Sequence, residues 1–193
     1  MIVLKMNRPD FENDIRALLM AFFYGEKIVY EAWDYDHILK VTYGSALMYA
    51  EITGSEGKTE SGETLVAFDD YKQGRNQVKN LIYDLLSSYT GMSLPWGTLT
   101  GIRPTKIPME MYERGLSTVD AREYLMENYK VSEEKAVLCV KVAKREQFIL
   151  QKVDDDHSYS LYVGIPFCPS ICAYCSFSSS PLNVWKDYVD QYL

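Results

Sequence analysis

The first ninety residues alternate between short apolar runs typical of strands and longer segments with helical spacing. Ile2-Val3-Leu4 predicts a strand, and the apolar pattern of residues 14–23, which ends before Gly25, predicts a helix. Several β-rich stretches follow over residues 27–53. Residues 75–89 then place their apolar side chains on one face of a second helix. This pattern predicts a small α+β domain at the amino end.

The segment from residue 104 to residue 150 predicts three consecutive helices. Pro108 either kinks the first of them or marks its start. Ser117, with Asp120 three residues later, resembles a capping box for the second helix. Ser132 precedes two glutamates and predicts the N-cap of the third.

Two polar segments are expected to lie outside regular structure. Gly54–Glu63 contains no apolar residue, which predicts an exposed hairpin loop. Asp154–Asp156 has the composition of a solvated linker. We therefore expect two domains, an α+β and helical domain over 1–152 and the start of a second domain over 157–193.

The segment after the linker predicts one β/α unit. Residues 159–167 are mostly apolar and β-rich, as expected for a buried parallel strand. A cysteine-rich loop follows, and residues 181–193 predict the opening of a helix with Asn183 as its N-cap. A complete (β/α) barrel needs about 200 residues. We therefore expect this sequence to hold only the first β/α unit of a truncated (β/α) partial barrel.

Composition and charge narrow the classes of function. The 193 residues carry a net charge of −7, which argues against a protein that binds nucleic acid by neutralising phosphates. A three-helix nucleic-acid module over 101–152 is disfavoured because its basic and acidic residues are nearly balanced in number. No apolar run approaches the roughly 18 residues of a membrane span, and no signal peptide is recognisable. A cytoplasmic location without membrane or nucleic-acid partners is expected.

The cysteines indicate metal or redox chemistry. Cys168, Cys172 and Cys175 form a CxxxCxxC spacing, whereas a disulfide-stapled domain would spread its cysteines along the chain. Thiolates hold iron–sulfur clusters, and three from one loop leave the fourth iron open to a small molecule. A structural zinc site is the alternative, but it usually takes four ligands. His157 lies upstream of the predicted strand, and Cys139 lies within an apolar predicted helix, where an inert core thiol is expected.

The spacing, with an aromatic residue before the last cysteine and a strand before the first, resembles the signature of the radical S-adenosylmethionine (SAM) superfamily. The resemblance implies a 4Fe–4S cluster held by Cys168, Cys172 and Cys175, with SAM chelating the open iron. It also implies a low-potential electron donor, because reductive cleavage of SAM gives the 5′-deoxyadenosyl radical that takes a hydrogen from substrate. The protein would supply binding, orientation and shielding.

The residues just before the first cysteine indicate a smaller group within this superfamily. Residues 161–168 resemble the Tyr-x-x-Ile-Pro-Phe-Cys stretch of the oxygen-independent coproporphyrinogen III oxidase group. Tyr162 and Tyr174 match tyrosine and aromatic positions that border SAM in that group, although packing within the strand and loop would also explain them. Gly164 and Phe177 depart from the HemN-type pattern, which usually has histidine and a fourth cysteine at these positions.

Residues 94–106 resemble an element of HemZ-type proteins, in which a long amino-terminal region precedes the radical SAM domain. Arg103 and Lys106 could pair with carboxylates, and coproporphyrinogen carries four propionates. The alternative is a loop that joins domains or lies at their interface.

The HemZ-type resemblance implies an enzyme of haem biosynthesis. The reaction would be the oxygen-independent oxidative decarboxylation of coproporphyrinogen III to protoporphyrinogen IX, with the 193-residue piece inactive alone. A haem-binding or haem-delivery protein of the HemW kind, on the same scaffold, is the alternative. No catalytic side chain beyond the cluster and SAM residues is assigned.

Overall fold

The chain forms two compact units, Met1–Gln151 and Lys152–Leu193. The computed structural model describes residues 1–101, 103–153, 157–159, 161–171 and 179–192. The linker predicted at Asp154–Asp156 lies outside the described residues, so the domain boundary drawn there stays a prediction.

A five-stranded mixed sheet forms the base of the first unit. Its strands are β1 (Ile2–Met6), β2 (Ile28–Val29), β3 (His37–Tyr43), β4 (Leu47–Gly54) and β5 (Thr59–Leu65). Their order across the sheet is β2-β1-β3-β4-β5. Strand β1 pairs in parallel with β2 and β3, whereas β3, β4 and β5 form an antiparallel meander. The predicted α+β class is confirmed for this unit.

Two helices, α1 (Glu12–Phe22) and α2 (Tyr71–Thr90), pack with the sheet around one hydrophobic core. The alternation along β4 shows which face of the sheet lines this core. Met48, Ala50 and Ile52 are buried on that face, whereas Leu47 and Tyr49 are exposed on the other. The core is completed by apolar residues of both helices, among them Ile15, Leu18, Leu19, Val78, Ile82 and Leu86.

The hairpin loop predicted over Gly54–Glu63 is wrong in its second half, because residues from Thr59 onward form β5. This strand pairs in register with β4 from Thr53↔Thr59 to Leu47↔Leu65. Its side chains alternate between exposed and half-buried, so no apolar pattern reveals it. Backbone hydrogen bonds to β4 form this edge strand. The turn itself contains Gly57, with a φ of +86°.

A second core lies among helices α3 (Lys106–Glu113), α4 (Thr118–Tyr129) and α5 (Glu133–Leu150). The predicted capping box is confirmed. The Asp120 amide donates to Ser117 Oγ over 3.1 Å, and the Ser117 amide donates to the Asp120 carboxylate over 2.7 Å. Ser132 caps α5 through the Lys135 amide, as expected. Pro108 lies in the first turn of α3, where a missing N–H costs no helical hydrogen bond.

The second unit has little regular structure in its described part. Strands β6 (Phe167–Cys168) and β7 (Ser180–Pro181) form a parallel pair of two residues each. Helix α6 (Leu182–Trp185), a 3-10 turn (Lys186–Tyr188) and helix α7 (Val189–Tyr192) follow. Pro181 occupies the N-cap position, so the prediction of Asn183 there is wrong.

The buried strand predicted over residues 159–167 is also wrong in the described residues. Residues 161–166 have no regular structure, and Leu161 and Val163 are 76% and 84% exposed. A parallel strand requires neighbours on its edges and layers over its faces. Among the described residues only the two-residue β7 pairs with this segment. The (β/α) partial barrel therefore stays a prediction.

Candidate functional site

The first cysteine of the motif lies at the end of β6. Cys168 is half-buried and its thiol forms no disulfide. The loop that leads to it is held by the Ser180 amide, which donates to the Pro166 carbonyl over 2.7 Å. The ring of Phe167 packs edge-on against Tyr192, with 5.5 Å between ring centroids. These contacts fix the backbone around Cys168, which ends the short strand β6.

The remaining motif residues lie outside the described residues, namely Cys172, Tyr174, Cys175 and Phe177. Cys172 and Cys175 therefore stay predicted cluster ligands, and Tyr174 stays a predicted neighbour of SAM. Cys168 and Tyr162 are the described members of the predicted set in this unit.

Tyr162 is 93% exposed and lies in the stretch without regular structure. The packing of Tyr162 within a strand, one of its two predicted roles, is not what the structure shows. Two residues further on, a β-carbon added at Gly164 would meet no atom of the described residues within 4 Å. Packing against the described part of the chain therefore does not require glycine at the position where the HemN-type pattern has histidine.

A shallow pocket of about 350 Å³ lies in the second unit, next to the residues that precede Cys168. Its lining includes Pro166, Phe167, Trp185 and Tyr188, and its surface is mainly apolar. The Tyr192 hydroxyl donates to the Gly164 carbonyl over 3.0 Å, which connects the end of α7 to the residues before Cys168.

Cys139 behaves as the inert core thiol that its sequence context predicts. Its side chain is 1% exposed and lies in the second core with Ala136, Val140 and Ala143. Burial raises the pKa of the Cys139 thiol to about 11, because the thiolate would lose its hydration. The thiol is therefore protonated at neutral pH and is a poor metal ligand.

The donor set suits an iron–sulfur cluster. Cys168 is an accessible, uncombined thiol at the start of a CxxxCxxC loop, whereas Cys139 is sequestered in another unit. Three thiolates from one loop provide three of the four ligands of a 4Fe–4S cluster and leave one iron open. No group of three His, Cys, Asp or Glu side chains suited to a metal occurs within the described ranges, which exclude two motif cysteines.

The element at residues 94–101 packs against the ends of α4 and α5. The Thr98 amide donates to the Tyr129 carbonyl over 2.8 Å, and the Ser132 amide donates to the Pro95 carbonyl over 3.0 Å. Gly97 has a φ of +55°, and a β-carbon there would lie 2.0 Å from the Tyr129 carbonyl oxygen. This part of the element joins the two cores of the first unit.

A partly buried ion network connects the same element to the first core. Arg75 donates to both carboxylate oxygens of Asp14 over 2.7 to 2.9 Å. Lys79 Nζ lies 3.7 Å from the same carboxylate and donates to Thr100 Oγ1 over 3.0 Å. Sequence reasoning missed this network because its members are 21 and 61 positions apart. The available signal was Lys79, which directly follows Val78 on the apolar face of α2 and lies four residues after Arg75.

Arg103 and Lys106 follow this anchored element and have exposed side chains. Neither side chain has an ion-pair or hydrogen-bond partner in the part of the chain that the structure describes. The Lys106 amide donates to the Arg103 carbonyl over 3.2 Å, so one turn carries both cations.

The first unit thus has an α+β fold, and the sequence after it carries a CxxxCxxC motif. The chain is similar to the oxygen-independent coproporphyrinogen-III oxidase-like protein HemZ of Bacillus subtilis (strain 168), with 38% identity over 126 residues. The match covers 64% of this chain and 25% of that protein, so the chain spans about a quarter of the relative's length. The predicted resemblance to the HemZ-type radical SAM group is thereby confirmed.

Neither a family model nor a solved structure matches the chain. Over its described residues the fold has no helix that is both long and apolar enough to cross a bilayer.

Proposed function

We propose that this chain is part of a radical SAM enzyme that converts coproporphyrinogen III to protoporphyrinogen IX without oxygen. The observation that carries the proposal is the similarity to a coproporphyrinogen-III oxidase-like protein, in a chain that also contains the CxxxCxxC motif. The net reaction on each of two propionates removes one hydrogen from the carbon β to the carboxylate. Loss of CO₂ and one electron then leaves a vinyl group.

Cys168, Cys172 and Cys175 are the proposed cluster ligands. When bound, the cluster and SAM would supply the radical that removes the substrate hydrogen. Tyr162 and Tyr174 are the proposed neighbours of SAM, by their positions relative to the cysteines. The pairing of β6 with β7 and the Phe167–Tyr192 contact hold the first ligand in position.

The amino-terminal unit has a supporting role in this proposal. Its ion network and its packed loop precede Arg103 and Lys106, whose side chains are exposed. A low-potential electron donor is the further partner that the chemistry requires, because reductive cleavage of SAM consumes one electron. The electron that each decarboxylation releases passes to an electron acceptor, which is a second requirement of the reaction.

The test uses the complete polypeptide that contains this sequence. It is incubated anaerobically with SAM, a low-potential reductant and coproporphyrinogen III, and porphyrins and 5′-deoxyadenosine are measured by chromatography. We expect protoporphyrinogen IX together with 5′-deoxyadenosine, and neither product from Cys168→Ser. The matched variant Cys139→Ser, a thiol outside the motif, is expected to keep both.

Cleavage of SAM without a porphyrinogen product would leave the cluster chemistry in place and remove the assigned substrate. Tight binding of haem in that same experiment would favour a haem-delivery protein instead.

A further inference from the structure

Helix α5 has a second apolar stripe besides the one that it buries in the second core. Its buried residues are Ala136, Cys139, Val140 and Ala143. On a different side of the helix, Leu138, Val142 and Ile149 are 46%, 39% and 63% exposed. A helix turns by about 100° per residue, so these three side chains lie within about 40° of one another. A surface helix ordinarily has a single apolar stripe, and the packing of the first unit leaves the second one exposed.

Two opposite charges lie in line with this exposed stripe. Glu134 lies one turn before Leu138, and Arg145 lies three residues after Val142, so all four share one side of the helix. The Glu134 side chain is 86% exposed, with a contact of 3.4 Å to its sequence neighbour Lys135. Arg145 is exposed and has no ion-pair or hydrogen-bond partner within the described ranges. From the amino end, the stripe therefore presents an acid, two apolar residues and a base.

This order of side chains is complementary to itself when a second copy of the helix runs in the opposite direction. A two-fold axis that crosses α5 between positions 139 and 140 places Glu134 opposite Arg145 of the second copy, and the symmetry repeats that pair. Leu138 then lies against Lys141 and Val142 of the second copy, and the lysine stem adds apolar contact. Two ion pairs thus flank an apolar centre. A parallel arrangement in register would instead put Glu134 against Glu134, which is unfavourable.

The charges also disfavour a lipid surface as the occupant of the stripe. Helices that lie on membranes combine an apolar face with basic residues that attract acidic lipids. Acidic lipids would repel both Glu134 and a chain whose net charge is −7. A second copy, by contrast, offers a base to Glu134 and an acid to Arg145.

We propose that the exposed stripe of α5 is the interface of a two-fold symmetric homodimer, in which two antiparallel α5 helices pair Glu134 with Arg145 around Leu138 and Val142. The inference does not depend on the proposed function. Helix α5 has 18 residues, which corresponds to a length of about 27 Å. One helix from each copy buries less than the roughly 1,200–2,000 Å² of a standard interface, so we expect a weak dimer with a micromolar Kd.

The test measures self-association of the complete polypeptide that contains this sequence, by analytical ultracentrifugation at protein concentrations around the expected Kd. We expect a reversible equilibrium between monomer and dimer. Leu138→Glu, Glu134→Arg and Arg145→Glu should each raise Kd at least about tenfold, because each puts a charge in the apolar centre or like charges opposite each other. Glu63→Arg makes the same charge change at an exposed position of β5 and should leave Kd within about twofold.

Exchanging the two charges separates pairing between copies from a role in the stability of α5. The double variant Glu134→Arg/Arg145→Glu restores opposite charges across the two-fold axis, so its Kd should return to within about threefold of the wild-type value. An equimolar mixture of the two single variants should form a heterodimer more tightly than either variant forms a homodimer, since each supplies the charge that the other needs. The unfolding temperature of each variant, measured by circular dichroism, checks that it is folded.

Three outcomes would overturn the proposal. A wild-type protein that stays monomeric would show that something other than a second copy covers the stripe. A dimer that the three single variants leave unchanged would place the interface elsewhere. Failure of both the double variant and the mixture to associate would refute the antiparallel pairing of Glu134 with Arg145.

Discussion

The ammonium group of Lys79 donates to the hydroxyl oxygen of Thr100 over 3.0 Å in the interior of the amino-terminal unit. Burial lowers the pKa of Lys79, and the carboxylate of Asp14 opposes this effect by favouring the charged form. The bond connects α2, part of the first core, to the element that leads into the second. Lys79 is therefore a point where the two cores of this unit are joined.

Replacing Lys79 with methionine tests this connection. Lys79→Met keeps most of the buried stem, leaves Asp14 paired with Arg75 and removes the bond to Thr100. We expect it to lower the free energy of unfolding by about 1–3 kcal/mol, because the Thr100 hydroxyl and one carboxylate oxygen lose a partner. The measurement is urea denaturation followed by circular dichroism. Lys72→Met, at an exposed position of the same helix, should cost less than about 0.5 kcal/mol, and equal effects would contradict the interpretation.

Gly97 is predicted to tolerate no side chain. Gly97→Ala places a β-carbon against the Tyr129 carbonyl and adds the cost of a left-handed conformation, about 1–2 kcal/mol. We expect a total loss of at least about 2 kcal/mol, because the neighbouring atoms are backbone and cannot turn away. Gly101→Ala is the matched control, since Gly101 has a φ of +67° but an added β-carbon there would contact no described atom within 4 Å. A smaller loss for Gly97→Ala than for Gly101→Ala would show that the close contact is not formed.

The raised pKa of the Cys139 thiol predicts that the folded chain loses stability in alkali. Its pKa is raised to about 11 in the folded chain, against an ordinary value near 9.0, so the unfolded chain releases this proton first. The stabilising contribution is complete below about pH 8.5 and declines as the pH rises through 9 towards 11. We expect the free energy of unfolding of Cys139→Ala, measured from pH 7 to 10, to fall less steeply than that of wild type. Parallel curves would contradict the raised pKa.

The cluster prediction concerns the three motif cysteines. Anaerobic reconstitution with iron and sulfide should give a brown protein with the absorption and paramagnetic resonance of a 4Fe–4S cluster. Serine at Cys168, Cys172 or Cys175 should each abolish the signal, since three thiolates hold the cluster. Cys139→Ser should retain it, because the buried thiol is not a ligand. Stoichiometric zinc without iron in the purified protein would refute the assignment.

Local patterns in the sequence predicted much of the amino-terminal unit correctly. Helix caps are set within three or four residues, so Ser117, Asp120 and Ser132 could be recognised directly. The buried face of α5 and the inert state of Cys139 follow from a helical repeat in the same way. Likewise, the spacing of Cys168, Cys172 and Cys175 indicates its chemistry without any tertiary information.

Strand β5 and the segment before Cys168 show where such patterns fail. Strand β5 has no apolar face, and its existence depends on hydrogen bonds to a strand already formed. The residues before Cys168 have the opposite character, since they are apolar enough for a buried strand but find only β7 as a partner among the described residues. Strand formation depends on partners that an alternation pattern does not identify.

The sequence by itself determined the cysteine motif, the helix caps and the resemblance to HemZ-type proteins, because each rests on residues close together in the chain. Only the tertiary structure decided that Lys79 bonds to Thr100 and that Gly97 lies against Tyr129. It also decided that the Thr105 hydroxyl is buried with no hydrogen-bond partner in the described part of the chain. The first two contacts join residues 21 and about 30 positions apart. Such contacts arise when two cores pack against one loop, and local residue preferences do not specify that packing.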